Sequence, residues 1–192
     1  MGIINFIDYH YNNNKFRCNK TESSFLMFST LNYAYKVKFS NQITNNIWLG
    51  NYADSSNETF ISQNNIKVII NCSKDLPFYF NQLEVPYRYR IPVDDDRQDN
   101  SMYVMYLYLP KIVDIMRYHI GRGENVYVHC HAGMQRSACV VAAYLMAVTG
   151  QKPEEVIRYI KSKRPIAFTP FVNFQKSLDN FYNSLTIKPQ PQ

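Results

Sequence analysis

No apolar stretch of this chain approaches the roughly 20 residues that a membrane-spanning helix needs, so stable insertion into a bilayer is not expected. The opening Met1-Gly2-Ile3-Ile4 is too short for a secretory signal, and Phe6 stands where a myristoylation motif on Gly2 wants Ser or Thr. Cysteine is sparse, with four residues at 18, 72, 130 and 139 and no C-x-x-C pair. That argues against a disulfide-stapled secreted framework and favours a reducing, intracellular (cytoplasmic) setting. Charge is also scarce, at 19% of residues, and no dense Lys/Arg run accompanies the formal net charge of +6. The excess therefore reads as a mildly basic surface that attracts polyanions, not as a binding tail. What the chain has instead is apolar and aromatic bulk, 46% hydrophobic residues with 16 Tyr and 12 Phe, which favours a folded globular protein over a disordered one. Its 192 residues suit one compact domain with a small appendage.

Residues 1–40 read as an N-terminal extension, mixing Asn12 to Asn14 with an apolar cluster, Phe25-Leu26-Met27-Phe28, that suits one helix. From Ile47 onward short apolar runs alternate with helical patterns: Ile47-Trp48-Leu49, Val68-Ile69-Ile70, Tyr89 to Val93, and Val126-Tyr127-Val128. This alternation predicts an α/β fold, a central, mostly parallel sheet flanked by helices, over a domain spanning 41–186. Ser55-Ser56-Asn57-Glu58 reads as a capping box opening a helix to about Asn64. Positions 109, 112, 113, 116 and 120 keep helical spacing, with Pro110 either opening a second segment or kinking one long helix. Ser137 to Thr149 is apolar nearly all round and stops at Gly150, as a buried helix would. Pro153 opens another, with acids first and bases last. Thr169-Pro170 is expected to start the last, with Phe171, Phe174, Leu178, Phe181 and Leu185 as its packing stripe. Residues 187–192 read as a frayed tail.

The chemistry lies in Val128-His129-Cys130-His131-Ala132-Gly133-Met134-Gln135-Arg136-Ser137, between a strand and the buried helix. The residues His131, Ala132, Gly133, Met134, Gln135 and Arg136 can turn successive backbone N–H groups around an anion, and the helix adds the positive end of its dipole. A thiol at the start of such a cradle is stabilised as thiolate, the nucleophilic form, which makes Cys130 a candidate nucleophile. Arg136 offers a planar fork for two phosphate oxygens. Gly133 allows the inward bend, and Ser137 can hydrogen-bond the sulfur as it departs. His129 is expected to orient the loop through its ring N–H groups. A zinc site from His129, Cys130 and His131 fails on geometry, because consecutive strand residues point to opposite faces.

This segment resembles the signature of the protein tyrosine phosphatase superfamily, and its H-C-x-A-G-x-x-R-S form is similar to the dual-specificity branch. Trp48-Leu49-Gly50-Asn51, Val68-Ile69-Ile70-Asn71, Ile91-Pro92-Val93 before Asp, and Ala143-Tyr144-Leu145-Met146 look like further landmarks of that branch. The resemblance covers residues 46 to about 182. It implies hydrolysis of phosphotyrosine and phosphoserine or phosphothreonine through a phosphocysteine, without metal or cofactor. Phosphoproteins are the implied partners, with RNA 5′-phosphates or phosphoinositides as alternative substrates and a phosphoprotein-binding pseudophosphatase as a third reading. Non-basic Met134 and Gln135 argue against highly charged head groups. Two residues depart from the pattern: Gln135 stands where the branch usually has Ser, and Ser177 replaces a frequent Gln.

The resemblance also implies a loop Asp as general acid after Ile91-Pro92-Val93, and Asp94, Asp95, Asp96 and Asp99 all compete for that place. Counting from the strand selects Asp95, whereas counting back from Cys130 selects Asp99. The strand end is the firmer anchor, so Asp95 is preferred. Cys72 and Cys139 read as packing residues, with a resolving thiol as the alternative for Cys72. Tyr103, Tyr106 and Tyr108 read first as packing aromatics and second as cleft lining.

Overall fold

The computed structural model describes residues 39–186. The expected N-terminal helix around Phe25, Cys18 and the tail lie outside the described residues. Five strands form one sheet in the order β1-β2-β5-β3-β4. These are β1 (Ser40–Thr44), β2 (Ile47–Gly50), β3 (Ile66–Asn71), β4 (Tyr87–Arg90) and β5 (Asn125–His129). Only the edge strand β1 is antiparallel; β2, β5, β3 and β4 run parallel, with Leu49 and Ile70 both in register with Val128. The expected α/β architecture is present. β1 carries no strand signal of its own, since Ser40-Asn41-Gln42-Ile43-Thr44 has one strongly apolar residue, and it gains its place by pairing with β2.

Helices α1 (Glu58–Gln63), α2 (Asp99–Gly121), α3 (Arg136–Thr149), α4 (Pro153–Lys163) and α5 (Gln175–Thr186) cover the sheet. The larger core lies where β2, β3 and β5 meet α2, α3, α4 and α5, and it includes Leu49, Val68, Ile70, Val128, Leu109, Val113, Val141, Ile160 and Leu178. A smaller cluster on the opposite face gathers Ile61, Ile69, Phe80, Val85 and Tyr127 beneath α1. Every residue of α3 from Arg136 to Met146 is buried, because the helix is walled in by α2, α4, α5 and β5. Gly150 ends it at φ 71°, a left-handed conformation that glycine adopts without steric cost.

Several local expectations change. The cap of α1 is Asn57, whose side chain accepts from the Phe60 N–H; Ser55 and Ser56 belong to a preceding 3₁₀ turn at Asp54–Ser56. An Asn accepts at an N-cap as well as Ser does, and here it sits two residues beyond Ser55, directly before the helix. α2 is one continuous helix through Pro110, where the exposed proline leaves the missing hydrogen bond on the solvent side. The final helix starts at Gln175, not at Thr169-Pro170. Phe174, Leu178 and Phe181 form its buried stripe, whereas Phe171 is 65% exposed and Leu185 42%.

Candidate active site

The period-two alternation of β5 sets the first part of the site. Val126, Val128 and Cys130 face the large core, while His129 points the other way and stacks on Tyr127, 5.5 Å between ring centroids. His129 is fully buried, and neither ring nitrogen makes a hydrogen bond of good geometry, so it does not tether the loop through ring N–H bonds as expected. Burial pushes its pKa down to about 4, against a smaller opposing pull from the Cys130 backbone. The ring is neutral packing on the reverse side of the sheet.

Beyond Cys130 the chain turns through His131 to Gln135 into α3. Each carbonyl in this turn is engaged: His131 by the Tyr52 N–H at 3.2 Å and Met134 by the Phe168 N–H at 2.8 Å, both from other segments, while Gln135 accepts the first helical bond of α3 from the Cys139 N–H at 2.8 Å. Arg164 takes the other two, donating to Gly133 O at 2.8 Å and Ala132 O at 3.2 Å. With the oxygens of His131, Ala132, Gly133 and Met134 bound to other segments, the opposite, N–H side of those planar peptides is left for an anion above the helix N-terminus. Gly133 is indispensable to the turn. It has φ +66°, and a Cβ there would lie 2.4 Å from the Gly50 backbone.

Cys130 Sγ sits at the base of this cradle, 1% exposed, with Ser137 Oγ 3.2 Å away. Arg136 donates from Nη1 to Val93 O at 3.2 Å. Its Nε is buried without a hydrogen bond and lies 3.4 Å from Asp95 Oδ2. The four competing acids are thereby separated. Asp95, whose side chain is 26% exposed, is the one that reaches Arg136. Asp94 pairs with Lys74, Asp96 accepts from the Gln98 N–H at 3.0 Å, and Asp99 meets Lys176 at 3.0 Å in the first turn of α2 with its side chain 79% exposed.

The rim is built from neighbouring loops. His131 Nε2 lies 2.9 Å from Asp75 Oδ2, on a loop held by Asn71 Nδ2 to Leu76 O (2.8 Å) and by Arg90 to the carbonyls of Ser73 and Leu76 (2.7 and 2.8 Å). Desolvation is the largest single influence on Asp75 and raises its pKa, but its own backbone, His131 and Arg136 together outweigh it, so the pKa falls. Cys72 and Cys139 are buried thiols within the large core, and burial raises the pKa of both. Among the described residues no group of three or more His, Cys, Asp and Glu side chains forms a metal-binding set. Tyr103 lies beside Asp99, Lys176 and Ser177 around a small cleft between α2 and α5, whose lining does not include Cys130. Ser177 is buried and donates to Met102 O at 2.6 Å, joining those two helices.

In the sequence Arg164 is only a base at the end of α4. It is 1% exposed and ties the cradle to β1, since Nη1 also donates to Asn41 Oδ1 at 2.7 Å. Burial lowers its pKa, opposed by Tyr127, Cys130 and Asp54. No local signal distinguishes such an arginine, because its acceptors lie about 30 and more than 120 residues away.

Fold and loop together define an α/β protein with a thiol set in an anion cradle at the carboxyl end of a parallel sheet. The chain belongs to the dual specificity phosphatase family, whose catalytic-domain model matches residues 47–184. Tyrosine-protein phosphatase vhp-1 of Caenorhabditis elegans is 32% identical over 143 residues, covering 74% of this chain and 21% of that protein. Dual specificity protein phosphatase 1 of Arabidopsis thaliana is 28% identical over 149 residues, 77% of this chain and 71% of the plant protein. The crystal structure of DUSP15 superposes with a TM-score of 0.68 at 28% identity, over 77% of this chain and 90% of that one. The chain thus spans only about a fifth of the nematode relative.

Proposed function

We propose that this protein is a dual-specificity protein phosphatase hydrolysing phosphotyrosine and phosphoserine or phosphothreonine through a phosphocysteine on Cys130. The reading is carried by one convergence: Cys130 Sγ within 3.2 Å of Ser137 Oγ, in a loop whose Arg136 has a buried, unbonded Nε 3.4 Å from Asp95 Oδ2. Phosphate oxygens in the cradle would bond the inward N–H groups and the Arg136 fork. The Cys130 thiolate attacks phosphorus as the ester oxygen departs with the proton of Asp95. The resulting Asp95 carboxylate then takes a proton from water attacking the thiophosphate. Phosphate is released, and Ser137 hydrogen-bonds the departing sulfur. Residues 41–186 form the catalytic unit in this reading, and its reduced nucleophile suits a reducing intracellular compartment. No helix among the described residues is long and apolar enough to cross a membrane.

The discriminating experiment is parallel turnover on a phosphotyrosine peptide, a phosphothreonine peptide, 5′-phosphorylated RNA and a phosphoinositide. Hydrolysis of both peptides at comparable kcat/KM, with weak turnover of the other two, is expected. Dominant activity on RNA or lipid would reassign the substrate while keeping the mechanism, and binding without turnover of any of them would reassign the class.

A further inference from the structure

Gln135, the residue that departs from the branch pattern beside Arg136, has every polar atom of its buried side chain engaged with a single segment. Its Nε2 donates to Thr169 O at 3.0 Å and to Phe171 O at 2.7 Å, and its Oε1 accepts from the Asn173 N–H at 3.1 Å. Residues 164–174 contain no helix or strand, so these bonds, with Phe168 N to Met134 O, tie the segment to the cradle. A serine hydroxyl, with one donor and a short reach, could not make the three contacts.

The segment so fixed carries Asn173, and Asn173 Nδ2 donates to Asp95 Oδ1 at 2.8 Å. Asp95 Oδ2 in turn faces Arg136. The contacts close a ring: Arg136, its chain neighbour Gln135, Asn173, Asp95, and back to Arg136. An Asp on an exposed loop would otherwise sample several rotamers. Occupying Oδ1 with an amide donor leaves Oδ2 as the oxygen presented to the cradle. None of the hydrogen bonds or ion pairs found at Asp94, Asp96 or Asp99 joins this ring.

We propose that Gln135 and Asn173 are positioning residues that aim Asp95 Oδ2 at the leaving oxygen of the substrate, with Gln135 setting the segment and Asn173 holding the carboxyl. This rests on Asp95 being the general acid. The test is kcat on two substrates, an alkyl phosphate with a strongly basic leaving group and a nitrophenyl phosphate with a weakly basic one, for Asn173→Ala, Gln135→Ser, Asp95→Asn and Asp95→Asn/Asn173→Ala. Asn173→Ala is expected to cost about 10-fold or more on the alkyl ester and under about 2-fold on the nitrophenyl ester. It should cost nothing further once Asp95 is Asn, because residues acting through one group are not additive. Gln135→Ser, which also touches the cradle, should lose more on the alkyl ester than on the nitrophenyl ester. Should it fail to fold, Asn173→Ala, which leaves the backbone bond to Gln135 in place, decides alone. An equal loss on both esters, or an additive loss in the double variant, would show a merely structural role and overturn the proposal. If Asp95→Asn itself shows no leaving-group dependence, the acid assignment fails first, and the positioning role with it.

Discussion

Ser137 Oγ lies 3.2 Å from Cys130 Sγ, both buried at the point where β5 gives way to α3. A hydroxyl so placed stabilises sulfur as it leaves phosphorus more than as it attacks, so it bears on the second half of the reaction. Ser137→Ala is expected to slow thiophosphate breakdown about 10- to 100-fold, giving a burst of leaving group followed by slow turnover. Cys130→Ser should abolish turnover while retaining phosphate-ester binding, since the cradle survives. Hydrolysis by Cys130→Ser comparable to wild type would sink the mechanism.

Arg136→Lys keeps the charge but loses the planar fork. It is expected to lose most of kcat/KM, measured on a phosphotyrosine peptide. Near-normal kcat/KM would show that the hydrogen bond to Val93 O, and not substrate, is what Arg136 serves.

Asp95→Asn should lower kcat by roughly 10²- to 10⁴-fold on an alkyl phosphate, and far less where the leaving group is already a weak base. Asp94→Asn, Asp96→Asn and Asp99→Asn remove contacts to Lys74, the Gln98 amide and Lys176, and each is expected to change either rate only modestly. A selective defect at Asp99 instead of Asp95 would move the acid one turn into α2.

Burial of neutral His129 makes stability depend on pH. The unfolded chain takes up this proton near 6.5, whereas the folded protein resists it down to about 4. The stability conferred is complete above about 6.5 and falls as pH drops toward 4, by at most about 3 kcal/mol. The carboxylates with lowered values, Asp75, Asp96 and Glu124, act at lower pH than the interval from about 6.5 to 5, and replacing His129 separates its part from that of the other histidines. Thermal unfolding across it should show a declining midpoint that His129→Gln flattens. An unchanged slope in the variant would place the titration elsewhere.

The sequence by itself determined the parallel sheet, the buried helix after Ser137 and the Cys130 to Ser137 loop. Each is written in neighbouring residues: apolar runs of strand length, an all-round apolar stretch, a thiol, glycine and arginine at fixed offsets. Tertiary structure alone decided which of Asp94, Asp95, Asp96 and Asp99 faces Arg136. That choice depends on partners up to about 80 residues away, Lys74, Arg136, Asn173 and Lys176, whose positions no local pattern records. The same reason hid Arg164 beneath the cradle, the clamp made by Gln135, and the edge strand at Ser40–Thr44. Their stabilising contacts exist only once β1, β5 and the segment before α5 have been brought side by side, because a hydrogen bond depends on distance in space and not on separation along the chain.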